Sequence, residues 1–200
     1  AGQGDVRMEG HEDGIKCLTE WGDHVCSGSW DGKVRLWNKR TLQCDRTIDV
    51  GVAVLSMCVF GDKLVVGDDM GCLSVWGAGE EKERKVMAHA LCVVALAASG
   101  GRLFSGSWDK TVKCWFVTPE GEWRCERTLR GHTGFVSCLM EWRGKLLSGS
   151  SDGSVIAWDV GTGALEAKMK EGKDAEGQVG GLAATGGMIY SLSTDGTLRE

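Results

Sequence analysis

Apolar residues along this chain fall into short runs separated by glycine-rich polar punctuation. In the first stretch the runs are Ile15–Thr19, Val25–Ser29, Lys33–Trp37 and Cys44–Ile48, with alternation clearest in the third. Runs of about five residues with a period of two read as strands. Asp31-Gly32, between the second and third runs, predicts a hairpin, because glycine tolerates the positive φ that such turns demand. No segment holds a helical period between caps, so the expected class is all-β.

The pattern repeats. Val25–Trp37, Leu64–Trp76, Leu103–Trp115, Leu146–Trp158 and Ile189–Glu200 align, and the tryptophans stand 39, 39 and 43 residues apart, with a fifth due at position 201. From His11 to Asp31 is 20 residues and from Asp31 to Trp37 is 6. His89, Asp109 and Trp115 keep those intervals, as do His132, Asp152 and Trp158. Length varies only after each tryptophan. That predicts a rigid three-strand unit followed by a variable outer hairpin.

Gly10-His11, Gly131-His132, the Ser-Gly-Ser-x-Asp blocks and the closing tryptophans resemble the WD-repeat family of β-propellers, although only Trp158-Asp159 keeps the full Trp-Asp pair. The resemblance spans essentially the whole chain and implies four-stranded antiparallel blades around a central channel. It also implies a hydrogen-bond network within a blade, in the first one of His11, Ser27 or Ser29, Asp31 and Trp37. One WD-repeat domain is expected over 1–200, with repeats at 10–48, 49–87, 88–130, 131–170 and 171–200 and an outer strand of a preceding or closing blade at 5–9. Since the family usually has seven blades, about five suggest part of a larger ring, with a self-closed ring as the alternative. The second repeat has Val50 and Met70 at the histidine and aspartate positions, and the fifth has Ala175 at the histidine position. Both blades are expected to lack the network and to open more readily.

Composition narrows the function. The 200 residues carry 23 basic and 28 acidic side chains, a net charge of −5, which supplies no positive field for nucleic acid. The apolar stretches around Val50–Phe60 and Ala88–Ala98 are too short for a membrane helix, and no basic-then-apolar leader opens the chain, so neither membrane insertion nor secretion is expected. The 9 cysteines are odd in number and never form C-x-x-C, which fits reduced, buried thiols in the cytoplasm or nucleus. No phosphate loop occurs, and Asp68-Asp69 is weak evidence for a cation, so neither a cofactor nor a metal is expected. The His-Ser-Asp trio suggests a hydrolase, but an active site is needed once and this trio occurs three times. It is read as structure, and the chain as no enzyme.

The candidate partner-binding residues precede each turn aspartate or its equivalent: Trp30, Asp69, Trp108, Ser151 and Thr194. The resemblance places them near the channel rim. Turns prefer small polar residues, and tryptophan is enriched at binding hot spots. Phe135 is a further candidate, since Gly14 and Cys92 hold its position elsewhere. Trp21, Trp142 and Phe60 are expected between blades, and Trp123 at an outer edge. The expected function is a non-catalytic scaffold within a multiprotein complex, binding a peptide or folded partner, with a preference for basic partners. Alternatives are a ubiquitin-ligase substrate receptor, whose propellers the chain resembles, a histone-tail reader, or a propeller enzyme with a site in the channel.

Overall fold

The computed structural model describes residues 7–77, 84–170 and 177–200. Strands β1 (Ile15–Trp21), β2 (His24–Ser29), β3 (Lys33–Asn38) and β4 (Cys44–Asp49) form one antiparallel sheet in chain order. The pattern returns in β5 (Val54–Phe60), β6 (Lys63–Asp68), β7 (Cys72–Trp76) and β8 (Arg84–Met87), then in β9 (Val93–Ser99), β10 (Arg102–Ser107), β11 (Thr111–Val117) and β12 (Trp123–Arg130). Next come β13 (Val136–Trp142), β14 (Lys145–Ser150), β15 (Ser154–Asp159) and β16 (Leu165–Lys170), and a three-stranded sheet of β17 (Val179–Thr185), β18 (Met188–Ser193) and β19 (Leu198–Arg199). The fold is all-β, and the described residues contain no helix. The outer strand expected at 5–9 is absent from its described part. Residues 7–9 form no strand, and residues 5 and 6 lie outside the described residues.

The first strands of successive sheets pack on one another in the series β1, β5, β9, β13, β17, which makes the sheets the blades of a propeller. One contact sets their spacing. Val54, Val93, Val136 and Val179 each press on the central glycine of the preceding sheet: Gly28, Gly67, Gly106 and Gly149. A Cβ on any of these glycines would lie within 2.7 Å of that valine's Cγ1. The glycines are therefore packing requirements, beyond any freedom of φ. At the two ends of the series this contact is missing. Ile15, at the valine position of β1, is 52% exposed, whereas the four valines are at most 4% exposed. Leu192 replaces the glycine in β18, where it pairs with Gly181, so the bulk has crossed to the other strand of the pair.

The core is a series of seams between sheets. Trp21, Leu36, Ile48, Leu64 and Trp76 fill the first, and Trp115 and Trp158 bury themselves in the next two. The Trp21 Nε1–H donates to the carbonyl of Asp62 in the neighbouring sheet at 2.9 Å, and Trp142 packs at the fourth seam. Trp123, expected at an outer edge, is half-buried against Phe60, with ring centroids 5.5 Å apart.

Each seam is backed by a polar network inside the sheet. Trp37 Nε1–H donates to Ser27 Oγ at 2.8 Å, and Ser27 lies 2.7 Å from His11 Nε2. His11 Nδ1 lies 2.8 Å from Asp31 Oδ2. An ionised carboxylate only accepts, so Nδ1 is assigned the proton and Nε2 accepts from the serine hydroxyl. Asp31 also accepts the backbone N–H groups of Glu12 and Lys33, tying the entry loop to the turn. Ser27 is the network serine, while Ser29 donates to the Asp13 carbonyl. His89, Ser105, Asp109 and Trp115 repeat the arrangement. In the fourth sheet His132 Nδ1 reaches Asp152 chiefly through the Ser154 hydroxyl, 3.1 Å away.

The two departing sheets lack the histidine but keep an anchored turn. In the second, Asp68 takes the position of Ser29, and its Oδ1 accepts the N–H groups of Met70 and Cys72 at 3.0 and 2.7 Å. Lys85 Nζ lies 3.5 Å from the other oxygen. In the fifth, Asp195 holds Thr197 and pairs with Arg199 Nη2 at 2.5 Å. A basic side chain thus stands beside the turn carboxylate in place of the histidine. Ala175 lies outside the described residues.

Burial pushes the His89 and His132 pKa values below the ordinary histidine range, outweighing the upward pull of Asp109 and Asp152. Burial alone would raise Asp31, Asp109 and Asp152, but their hydrogen bonds and the facing histidines hold all three below the usual carboxylate range. In the unfolded chain these histidines take up protons near pH 6.5, where the folded ones do not. Stability is therefore full above about pH 6.5 and falls as the pH drops through that value. The carboxylates add a second loss below about pH 4, in the same direction. Urea midpoints measured from about pH 8 to 3 should follow these two steps, and a midpoint that rises between about pH 7 and 6 would contradict them.

The turns give a second prediction. Gly32, Gly71, Gly153 and Gly196 adopt positive φ, but the third turn places Lys110 at φ 71°. Lys110→Gly should raise stability by about 1 kcal/mol in urea denaturation, since a side chain there is strained.

Candidate partner-binding site at the channel mouth

The five turn positions are structurally equivalent. The N–H groups of Trp30, Asp69, Trp108, Ser151 and Thr194 donate to the carbonyls of Gly14, Ala53, Cys92, Phe135 and Gln178 at 2.9–3.2 Å. Each turn is thereby tied to the residue leading into its own first strand. The side chains then diverge. Ser151 Oγ accepts the Phe135 N–H at 2.8 Å and Thr194 Oγ1 accepts the Gln178 N–H at 3.1 Å, so both hydroxyls serve their turns. Trp30 and Trp108 remain 51% and 45% exposed. The Phe135 ring, 44% exposed, lies against Trp108 with centroids 5.5 Å apart.

Trp30, Asp69 and Trp108 line one cavity of about 570 Å³ to which all five sheets contribute. Its other walls include Lys16, Leu55, Val94, Ser137 and Gly180, the second residues of β1, β5, β9, β13 and β17. Side chains alternate along a strand, so this position faces the channel while its neighbours face the seams. Sequence reasoning missed these five. The signal was present as a position where aligned repeats differ in chemistry. Phe135 flanks the cavity through Trp108, and Ser151 and Thr194 are not among its walls.

The His-Ser-Asp trios do not provide a nucleophile. Ser27, Ser105 and Ser148 are at most 2% exposed, and each hydroxyl oxygen already accepts a tryptophan N–H. A substrate carbonyl has no approach to them. Asp68 and Asp69 diverge: the first is fully buried in its turn and the second faces the cavity, so the two carboxylates form no shared site. Burial pushes the Cys17 thiol up to about 12 and the Cys26, Cys58 and Cys114 thiols up to about 11, which leaves them unreactive at neutral pH. Among the described residues no group of three or more His, Cys, Asp or Glu side chains converges as metal ligands.

Comparison with known proteins agrees with this geometry. The crystal structure of the computationally designed Ika8 protein superposes with a TM-score of 0.78 and 25% identity, covering 95% of this chain and 58% of that one. The mitotic checkpoint protein BUB3.1 of Arabidopsis thaliana is 36% identical over 112 residues, 54% of this chain and 32% of that protein. The putative E3 ubiquitin-protein ligase LIN-1 of Lotus japonicus is 35% identical over 71 residues, 34% of this chain and 5% of that protein. The chain therefore spans about a third or less of the length of these two relatives. The model of the WD domain, G-beta repeat, matches residues 5–38, 81–115 and 123–159, just over half of the sequence. With its sheets, turn networks and closing tryptophans, the chain belongs to the WD-repeat family of β-propellers.

Proposed function

We propose that this chain is a non-catalytic scaffold whose partner, a peptide or a folded protein, docks at the channel mouth on Trp30, Trp108 and Phe135. The observation that carries the reading is the exposure of two tryptophans at turn positions where the fourth and fifth sheets place hydroxyls that serve the turn. A ring about half exposed leaves roughly 100 Å² of apolar surface, and covering it contributes ~2 kcal/mol. Three such rings on a rigid frame contribute ~6 kcal/mol before the cost of association, enough to anchor a partner that makes further contacts, without any change in the scaffold. The excess of acidic side chains favours partners rich in lysine or arginine. Free thiols fit a reducing cytoplasm or nucleus. A substrate-recognition role in a ubiquitin ligase is the second reading, supported by the likeness to LIN-1.

Affinity capture from a lysate, comparing the unaltered chain with Trp30→Ala/Trp108→Ala, tests the docking surface. Recovery of the captured proteins should fall about tenfold or more while the unfolding midpoint stays unchanged. An identical capture profile rejects the surface.

A further inference from the structure

The channel mouth carries two charges of opposite sign that the fold does not use. Lys16 and Asp69 make no ion pair among the described residues, although both line the cavity. Lys16 is the only charged member of its set, with Leu55, Val94, Ser137 and Gly180 at the equivalent positions. Its ammonium lies 4.5 Å from the centroid of the Trp30 ring. The Trp30 ring thus already carries a cation from the chain's own side chain. Around the rim the chain order gives an aromatic ring, a carboxylate and a second aromatic ring, at Trp30, Asp69 and Trp108. Ring faces attract cations through their quadrupole, and an adjacent unpaired carboxylate adds direct attraction.

Resting on the docking surface proposed above, we infer that the mouth selects a cationic side chain of its partner, and that Lys16 is a built-in competitor resting on Trp30 until that cation arrives. Two effects oppose the partner while Lys16 is in place. The ring face is occupied, which multiplies the apparent affinity by the fraction of molecules in which it is free. The ammonium also repels a second positive charge in the same cavity. A partly exposed cation–ring contact corresponds to about a two- to fivefold reduction in affinity. Asp69 acts in the opposite sense, offering the incoming cation a counter-charge that Lys16 leaves unpaired.

The test uses the full 200-residue chain and a pair of capped alanine pentapeptides, one with a central lysine and one with norleucine, which differ only in the ammonium. Binding is read from the indole N–H signals of Trp30 and Trp108 in NMR titrations. The lysine peptide should give saturable shifts, and its norleucine twin should bind about tenfold more weakly. Lys16→Met should tighten the lysine peptide about threefold and the norleucine peptide by clearly less, because only the lysine peptide is also freed from charge repulsion, while Lys16→Arg should match the unaltered chain. Asp69→Asn should weaken the lysine peptide about fivefold. Equal binding of the two peptides, no saturable shift, or weaker lysine binding in Lys16→Met would overturn the inference. The docking surface would survive each of these results if Trp30→Ala/Trp108→Ala still lost its captured proteins. Conversely, an unchanged capture profile beside lysine-selective binding would remove the docking surface and keep the cation site.

Discussion

The propeller depends on how closely one sheet can approach the next. A valine at the start of each later sheet fits against a glycine in the sheet before it, and an added methyl group there would meet the valine's Cγ1 well inside van der Waals contact. Overpacking of this kind is relieved only by moving backbone, and a four-stranded sheet moves as a unit. The glycine therefore fixes the spacing of the seams, and through them the positions at which Trp76, Trp115 and Trp158 fill space. The fifth sheet shows the constraint by breaking it. Leu192 stands at the glycine position with its side chain 53% exposed, and no later sheet among the described residues presses on it.

Spacing alone would leave the turns above the seams loose. The buried networks fix them by joining a tryptophan on the third strand, a serine on the second and a histidine in the entry loop to one carboxylate. Each polar atom is satisfied by another, so the cost of burying it is met locally and the turn gains a defined shape. The second and fifth sheets show which part of this is indispensable. Histidine can be absent, but a carboxylate that accepts backbone N–H groups across the turn is present every time, from Asp31, Asp68, Asp109, Asp152 or Asp195.

Much of this was legible in the sequence because it recurs. The strands, their antiparallel order and the His-Asp-Trp spacing all repeat, and repetition separates structure from chance. The choice between Ser27 and Ser29 was not legible. Both lie on the same side of β2 two residues apart, and only the depth of Trp37 and His11 decides which hydroxyl they share. Asp68 was missed for a related reason: a template fixed on the turn position finds Met70 there and reads a lost network, although a carboxylate two residues earlier accepts the N–H that opens the third strand. Trp123 does lie on the outermost strand of its sheet, but its contact with Phe60 was not legible because that ring comes from another sheet.

What the repeats share holds the shape, so individuality must lie where they differ. Two sets of positions differ in chemistry, those just before the turn aspartate or its equivalent and those second in each first strand, and the fold turns all of the second set and Trp30, Asp69 and Trp108 of the first toward the same cavity. A repeat scaffold can change its channel there without disturbing a seam, because neither set carries the glycine, valine or tryptophan that seams require. Trp30 and Trp108 are large side chains on turns that close equally well over serine or threonine, and Lys16 is a charged one at a strand position that leucine, valine, serine or glycine fills elsewhere. Their presence is therefore unexplained by folding. A half-exposed ring with an ammonium resting over it is a surface suited to exchange one cation for another.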